Sequence, residues 1–427
     1  MFVQPAGGYF SSAYPSQVHL PGEGSLSLSL MKASSPTTRP RVGGRALCIA
    51  VLAPPWITVP PEGYGGIEAV VALLCDELVA RGHEVTLFAA PGSRSRALVS
   101  SPLRRAHPRT IGSALHESDH VAVALDEIDG AAERGSPFDV IHDHSGFTAL
   151  AMASRVRTPI VHTVHGAVVG DTALFYERHG HKALLVAINS AQFALEPGST
   201  RPTGVIPNPI AVEDWPLRVE KEDFLLWVGR MDPSKGAHRA IAVARSCCRA
   251  LVLAGPIQDG QEDYFRQEVE PHVDGKRICF VGEVGGARRR ELFARARAFL
   301  MPIRWPEPFG MVMIEALACG TPVLAFAEGA ASEIVIDGVN GFLVRDEREM
   351  SDALARVHTI DPRRCRDSVA ERYSVAAVVD CYEAIYRAAL EQAPRPAPLR
   401  FGHGRRAAEP SGAGADVRRG AVAVAGR

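Results

Sequence analysis

From residue 45 to residue 392, short β-branched and aliphatic runs alternate with longer amphipathic stretches that begin or end on Gly, Pro or Ser. The runs read LCIAVLA, EVTLFAA, FDVIH, TPIVHTV and LLVAI in the first half, then FLLWVG, ALVLAG, RICFVG, AFLMP and TPVLAF in the second. Strand followed by helix, repeated, predicts βαβ units and a parallel sheet; the clearest helix spans residues 66–81. A Pro-rich joint at residues 206–216 separates the two series. The α/β class therefore takes the form of two Rossmann-like, doubly wound domains facing each other, 45–212 and 213–392, with ligands in the crevice at the carboxyl ends of the strands. Residues 1–44 and 393–427 are rich in Pro, Gly, Ser and Arg without a sustained period, and read as a disordered extension and a disordered tail. Met31 offers a second possible start.

Composition removes several classes of function. The 427 residues are 46% hydrophobic and 22% charged with a formal net charge of −1, which gives no global attraction to nucleic acid. The eight cysteines form no CxxC pair and fall largely inside apolar elements, so they read as core thiols of a protein kept in a reducing compartment. No run reaches the ~18 apolar residues of a membrane span, and the LSLSLM stretch is too short and serine-rich for a signal peptide; the expected location is cytoplasmic.

Three strand-end loops carry the chemistry. After the first strand, APPWITVPPEGYGGIEAVV places Gly63, Gly65 and Gly66 before a helix, where backbone N–H groups can approach a phosphate or sugar closely. It is not GxGxxG, and no acidic residue follows at the dinucleotide-binding distance, which disfavours a nicotinamide site. The second half opens with GRMDPSKG, presenting Arg230 and Lys235 between glycines as two cations suited to a diphosphate; the pattern is not that of a P-loop. The third loop, WPEPFGMVMIEALACGTPV, fixes Glu307 between two prolines. It then enters a helix that carries Glu315, a carboxylate among apolar neighbours that needs a partner. Carboxylates repel phosphates, so each glutamate is assigned to a hydroxyl-rich group on either side of a diphosphate held at the helix N-terminus. For Glu315 the competing partner is an arginine; with Arg230 and Lys235 already present, substrate hydroxyls are the expected one.

The spacing E-x7-E from Glu307 to Glu315, G-R-x4-K-G from Gly229 to Gly236, GGIE from Gly65 and TVHG from Thr163 together resemble the retaining glycosyltransferases of family 4, which have the GT-B fold. The resemblance covers about residues 47–390 and is nearest to the subgroup containing the avilamycin-biosynthesis glycosyltransferase. It implies that Arg230 and Lys235 bind the donor diphosphate, Glu307 the donor sugar and Glu315 the ribose. It also implies that backbone amides of Phe309, Gly310 and Met311 hold phosphate oxygens, and that Gly282 and Val284 lie against the base. His165 matches the histidine after the fourth strand region, facing the reacting bond. The implied donor is a nucleotide diphosphate sugar, with no cofactor and no metal; the acceptor is an unidentified carbohydrate, lipid-linked or small-molecule hydroxyl. IPNPI at 206–210 and GAASE after Glu328 depart from the usual pattern, away from the charged positions.

Other readings compete. An epimerase or a non-catalytic nucleotide-sugar-binding protein of the same fold would convert donor without acceptor, or consume nothing. His142, Asp143 and His144 look like metal ligands, but neighbours on a strand point to opposite sides, which favours a structural role near the cleft. Arg94, Arg96, Arg104, Arg105 and Arg109 form a basic stretch suited to a weak contact with an anionic membrane surface or an acidic acceptor, a solvated loop being the simpler reading.

Overall fold

The computed structural model describes residues 45–63, 65–193 and 200–392. The expected disordered ends, Met31 with them, lie outside the described residues. Two all-parallel sheets form the core. The first contains β1 (Cys48–Leu52), β2 (Glu84–Phe88), β3 (Leu98–Ser100), β4 (Val140–Asp143), β5 (Ile160–Val164), β6 (Leu184–Ala187) and β7 (Gly204–Val205), in the order β3-β2-β1-β4-β5-β6-β7. The second contains β8 (Phe224–Val228), β9 (Ala250–Ala254), β10 (Ile278–Phe280), β11 (Ala298–Met301), β12 (Val323–Phe326) and β13 (Gly341–Val344), in the order β10-β9-β8-β11-β12-β13. The ten runs read from the sequence are all strands; β3, β7 and β13 are additional, so His165 follows the fifth strand of its sheet, not the fourth. The predicted first helix is Gly66–Ala80, with Arg81 as its C-cap.

Sequential strands are added outward in both directions, so each sheet has one point where the order reverses: between β1 and β4, and between β8 and β11. Loops leaving neighbouring strands there diverge to opposite faces and open a crevice. Side chains of the buried strands lie in the core on both faces of each sheet, as Leu225, Leu226 and Trp227 of β8 do.

The chain crosses between the lobes twice. Residues 206–212 lead out of the first lobe, and Ile210 N–H donates to the Tyr373 carbonyl at 2.8 Å where the second crossing begins. The helix Val375–Gln392 then packs on the first sheet, sharing its core through Val378, Val379, Tyr382 and Tyr386. The range 213–392 expected for the second domain thus ends in a helix that buries its apolar face in the first. The cysteine reading holds for Cys75, Cys279, Cys319 and Cys365, which are buried; Cys248 and Cys381 are exposed, because each sits on the solvent side of its turn or helix, and they are not core thiols.

Candidate active site

The loops that leave β8 and β11 flank the switch point of the second sheet and carry its charge. After β8, Asp232 accepts from Ser234 N–H at 2.8 Å and starts a short turn ending at Lys235. Gly236 follows with φ 77°, and a Cβ there would stand 2.4 Å from the Pro302 carbonyl oxygen, so only glycine lets this loop lie against the exit of β11. That contact brings Lys235 Nζ to 2.5 Å from Glu307 Oε2, with both side chains about 15% exposed. The Trp305 indole N–H donates to the same oxygen at 3.0 Å, and its ring lies 4.7 Å from Lys235 Nζ. Arg230 stands half-buried on the same loop as Lys235. Pro306 and Pro308 restrict the Glu307 backbone, whose carbonyl accepts from Ala330 N–H at 3.0 Å.

Gly310 (φ 81°) is the N-cap of the helix Met311–Ala318, so Phe309 stays in the loop, buried against the Tyr373 ring at 5.8 Å. At that helix end Met313 N–H donates to the Gly310 carbonyl at 2.9 Å, and Gly66 approaches closely enough that a Cβ on it would lie 4.0 Å from Met311 Cγ. A Cβ on Gly63 would likewise stand 2.9 Å from Glu283 Oε1. Gly65 is the N-cap of Gly66–Ala80. Gly229, Gly255 and Gly282 close β8, β9 and β10 in a row, linked by Gly229 N–H to Ala254 O at 3.0 Å and Gly255 N–H to Gly282 O at 2.8 Å; Val284 is buried beyond them. The structure therefore brings together Lys235 with Glu307 and Gly66 with Met311 among the sequence-selected residues.

Glu315 differs from the expectation. It is 8% exposed, and the Arg289 guanidinium donates to its Oε2 from Nε at 3.1 Å and from Nη2 at 2.5 Å. A carboxylate removed from water needs a protein partner before any ligand arrives, so the arginine set aside above is the partner found. Arg289→Ala is expected to destabilise the protein by about 2 kcal/mol, because it leaves that carboxylate uncompensated. Urea unfolding checks this, and Arg289→Ala combined with Glu315→Leu should recover most of the loss.

Across the cleft, the ends of β4 and β5 carry a buried polar network. His142 Nδ1 pairs with Tyr386 Oη at 2.7 Å and Nε2 with Thr163 Oγ1 at 2.9 Å; Thr163 also meets Tyr382 Oη at 3.0 Å. Asp143 Oδ2 lies 2.6 Å from His162 Nδ1, while its Oδ1 accepts from Ser145 N–H and Oγ. His144 Nδ1 lies 2.8 Å from His165 Nε2. Burial, with the His162 ring adding to it and Asp143 opposing, pushes the His165 imidazole down to about 3, so it is neutral at ordinary pH. His144 thus contacts the selected histidine directly, a link invisible in sequence because it depends on β4 lying beside β5. Two further residues escaped sequence reading. Glu68, in the first turn of Gly66–Ala80, is buried with its carboxyl pushed up to about 7 by desolvation. Asn189 reaches across the lobes to donate to the Pro308 carbonyl beside Glu307, and next to it Ser190 N–H donates to Glu333 Oε1 at 2.7 Å. Among the described residues no cluster of three potential metal ligands occurs.

Two facing parallel sheets with charged loops meeting at a switch point constitute the GT-B architecture. The profile of Glycosyl transferases group 1 matches residues 213–367, and that of Glycosyltransferase Family 4 matches residues 64–255. The chain belongs to this family of glycosyltransferases. It is similar to the crystal structure of AviGT4, a glycosyltransferase involved in avilamycin A biosynthesis, at 30% identity and a TM-score of 0.63, covering 81% of this chain and 99% of that one. It is 26% identical to the glycogen synthase of Mycobacterium tuberculosis over 79% of this chain and 95% of the relative. The fold also matches Anabaena HepE, solved with UDP and glucose, at 20% identity and a TM-score of 0.60 over 80% of this chain and all of that one.

Proposed function

We propose that the protein transfers a sugar from a nucleoside diphosphate sugar to an acceptor hydroxyl with retention of anomeric configuration, without a metal ion, in the manner of the AviGT4 subgroup and in the cytoplasm. The observation that carries the reading is the meeting of Lys235 and Glu307 beside the N-terminus of Met311–Ala318 at the switch point of the second sheet. Cleaving a sugar–diphosphate bond builds negative charge on the leaving group and positive character on the sugar. Lys235 and Arg230 neutralise the former together with the amides of Phe309, Gly310 and Met311. Glu307, held by Lys235 and Trp305, orients sugar hydroxyls. Both Arg289 bonds go to Oε2 of Glu315, which leaves Oε1 for the ribose hydroxyls. Gly282 and Val284 border the base, and Gly65 and Gly66 close over the donor from the first lobe. Neutral His165 hydrogen-bonds at the reacting face without adding charge that would oppose an oxocarbenium. The acceptor hydroxyl attacks from the side of the departing phosphate, which takes its proton.

A thermal-unfolding panel of nucleoside diphosphates tests the binding step. A ligand at 100 times its Kd stabilises by ~2.7 kcal/mol, and one base should stand out. Incubation of the matching diphosphate sugar with acceptor should then give a product of unchanged anomeric configuration by NMR. An inverted product, or donor epimerised without acceptor, would overturn the reading.

A further inference from the structure

The first lobe carries a surface that the donor chemistry does not use. Between residues 92 and 113 the chain has five arginines, 94, 96, 104, 105 and 109, and no acidic residue. All five are exposed, and none is held in an ion pair among the described residues. Two carboxylates touch the segment, but through neutral donors and not through the guanidinia: Asp76 accepts from Ser95 Oγ and Arg96 N–H at 2.9 and 2.8 Å, and Glu127 accepts from Ser100 Oγ at 2.9 Å. The segment thus carries five guanidinia against two touching carboxylates, an excess of positive charge.

Apolar side chains share the segment. Leu98 and Leu115 are 71% exposed and Ile111 59%, the three highest values for large hydrophobic residues among the described ones. Two hydrogen-bonded anchors hold the segment to the loop after β1: Arg94 N–H donates to Val59 O at 2.6 Å and His107 N–H to Trp56 O at 3.1 Å. The His107 ring stacks on His116 at 3.6 Å, next to Leu115. Arginines and protruding leucine and isoleucine therefore share one stretch of chain that is tied to the loop after β1. A free sugar phosphate would use the cations but has no use for exposed aliphatic groups. An anionic bilayer uses both: its headgroups attract the guanidinia and its acyl boundary accepts the aliphatic tips.

We infer that residues 94–115 dock the first lobe reversibly on a membrane surface rich in anionic lipid. The docking does not depend on the donor site and would stand if the proposed reaction were different. The full chain is sedimented with vesicles of phosphatidylcholine alone and of phosphatidylcholine mixed with phosphatidylglycerol. Binding is expected to the mixed vesicles only and to weaken with salt. Each arginine near such a surface is worth about fivefold in partitioning, so Arg104→Ala with Arg105→Ala should lower binding about 25-fold. Leu115→Ser should weaken it further, with unchanged circular dichroism. The inference is overturned by equal binding to both vesicles, by no binding to either, or by an undiminished double variant. Binding of glucose 6-phosphate but not of vesicles would show a soluble anion as the occupant instead, and would also sink it.

Discussion

Lys235→Ala is expected to lower the rate of sugar transfer by about 100- to 1,000-fold. The ammonium is the cation closest to Glu307, and the loop that carries it is fixed by the Gly236 approach to Pro302. Removing it takes away preorganised positive charge where the leaving diphosphate develops its own. Glu307→Ala should cost a similar factor by releasing the sugar hydroxyls and freeing Lys235 to turn toward solvent. Neither change threatens the fold, since each side chain lies at the cleft; losing the partner costs about 1–2 kcal/mol. Lys235→Arg keeps the charge but replaces a compact ammonium by a planar fork, so partial activity is expected. Steady-state kinetics with the stabilising donor, accompanied by thermal unfolding, separates these effects. Full turnover in either alanine variant of a folded protein means that the charged loops are not the donor site.

Acid should destabilise the first lobe more steeply than surface histidines would. Burial pushes His120 down to about 4 and His165 to about 3, and holds His142 and His144 well below the ordinary imidazole value. The groups packed around them are Asp143, His162, Thr163, Tyr176, Tyr382 and Tyr386. The unfolded chain takes up these protons below about pH 6.5 while the folded chain refuses them, so the stability is complete above that pH and is lost as pH falls. Glu68 works in the opposite sense. Its carboxyl, raised to about 7, holds a proton in the folded state that the unfolded chain releases above about pH 4.5. Four histidines against one carboxyl leave a net of about three protons, at most ~4 kcal/mol per pH unit. Urea midpoints between about pH 7.5 and about pH 5 measure the slope. Among the described residues neither ring nitrogen of His120 is within good hydrogen-bond geometry of a partner, the Ala53 backbone being its polar neighbour, so His120→Leu should fold and reduce the slope by about one proton. An unchanged slope would mean that this imidazole is not held neutral.

The elements that sequence revealed are those whose own residues suffice to define them. Ten strands announce themselves as aliphatic runs. β3 does not, because its three residues, Leu98–Ser100, form an edge with polar serine beside it, and β13 begins on Gly341 directly after the turn at residues 338–340. The Lys235 and Glu307 loops were legible because proline and glycine bracket the charges. The Arg289 partner of Glu315 was not. GARRRELF offers three successive arginines, and which one faces the neighbouring helix depends on how two helices pack. His144 against His165, and Asn189 against Pro308, are contacts between segments brought together only by strand order and by the two crossings of the chain.

The returning helix Val375–Gln392 makes the lobes unequal as folding units. Tyr382 and Tyr386 fill space in the first core and satisfy Thr163 and His142, while Arg81 is tied to Asp380 at 2.5 Å and His83 to Glu383 at 3.1 Å. Cutting the polypeptide at the joint near residue 212 would strand the amino-terminal half with an open hydrophobic trough and two orphaned polar groups. A stop codon ahead of residue 375 would injure the half encoded first, although every residue removed lies at the far end of the gene product.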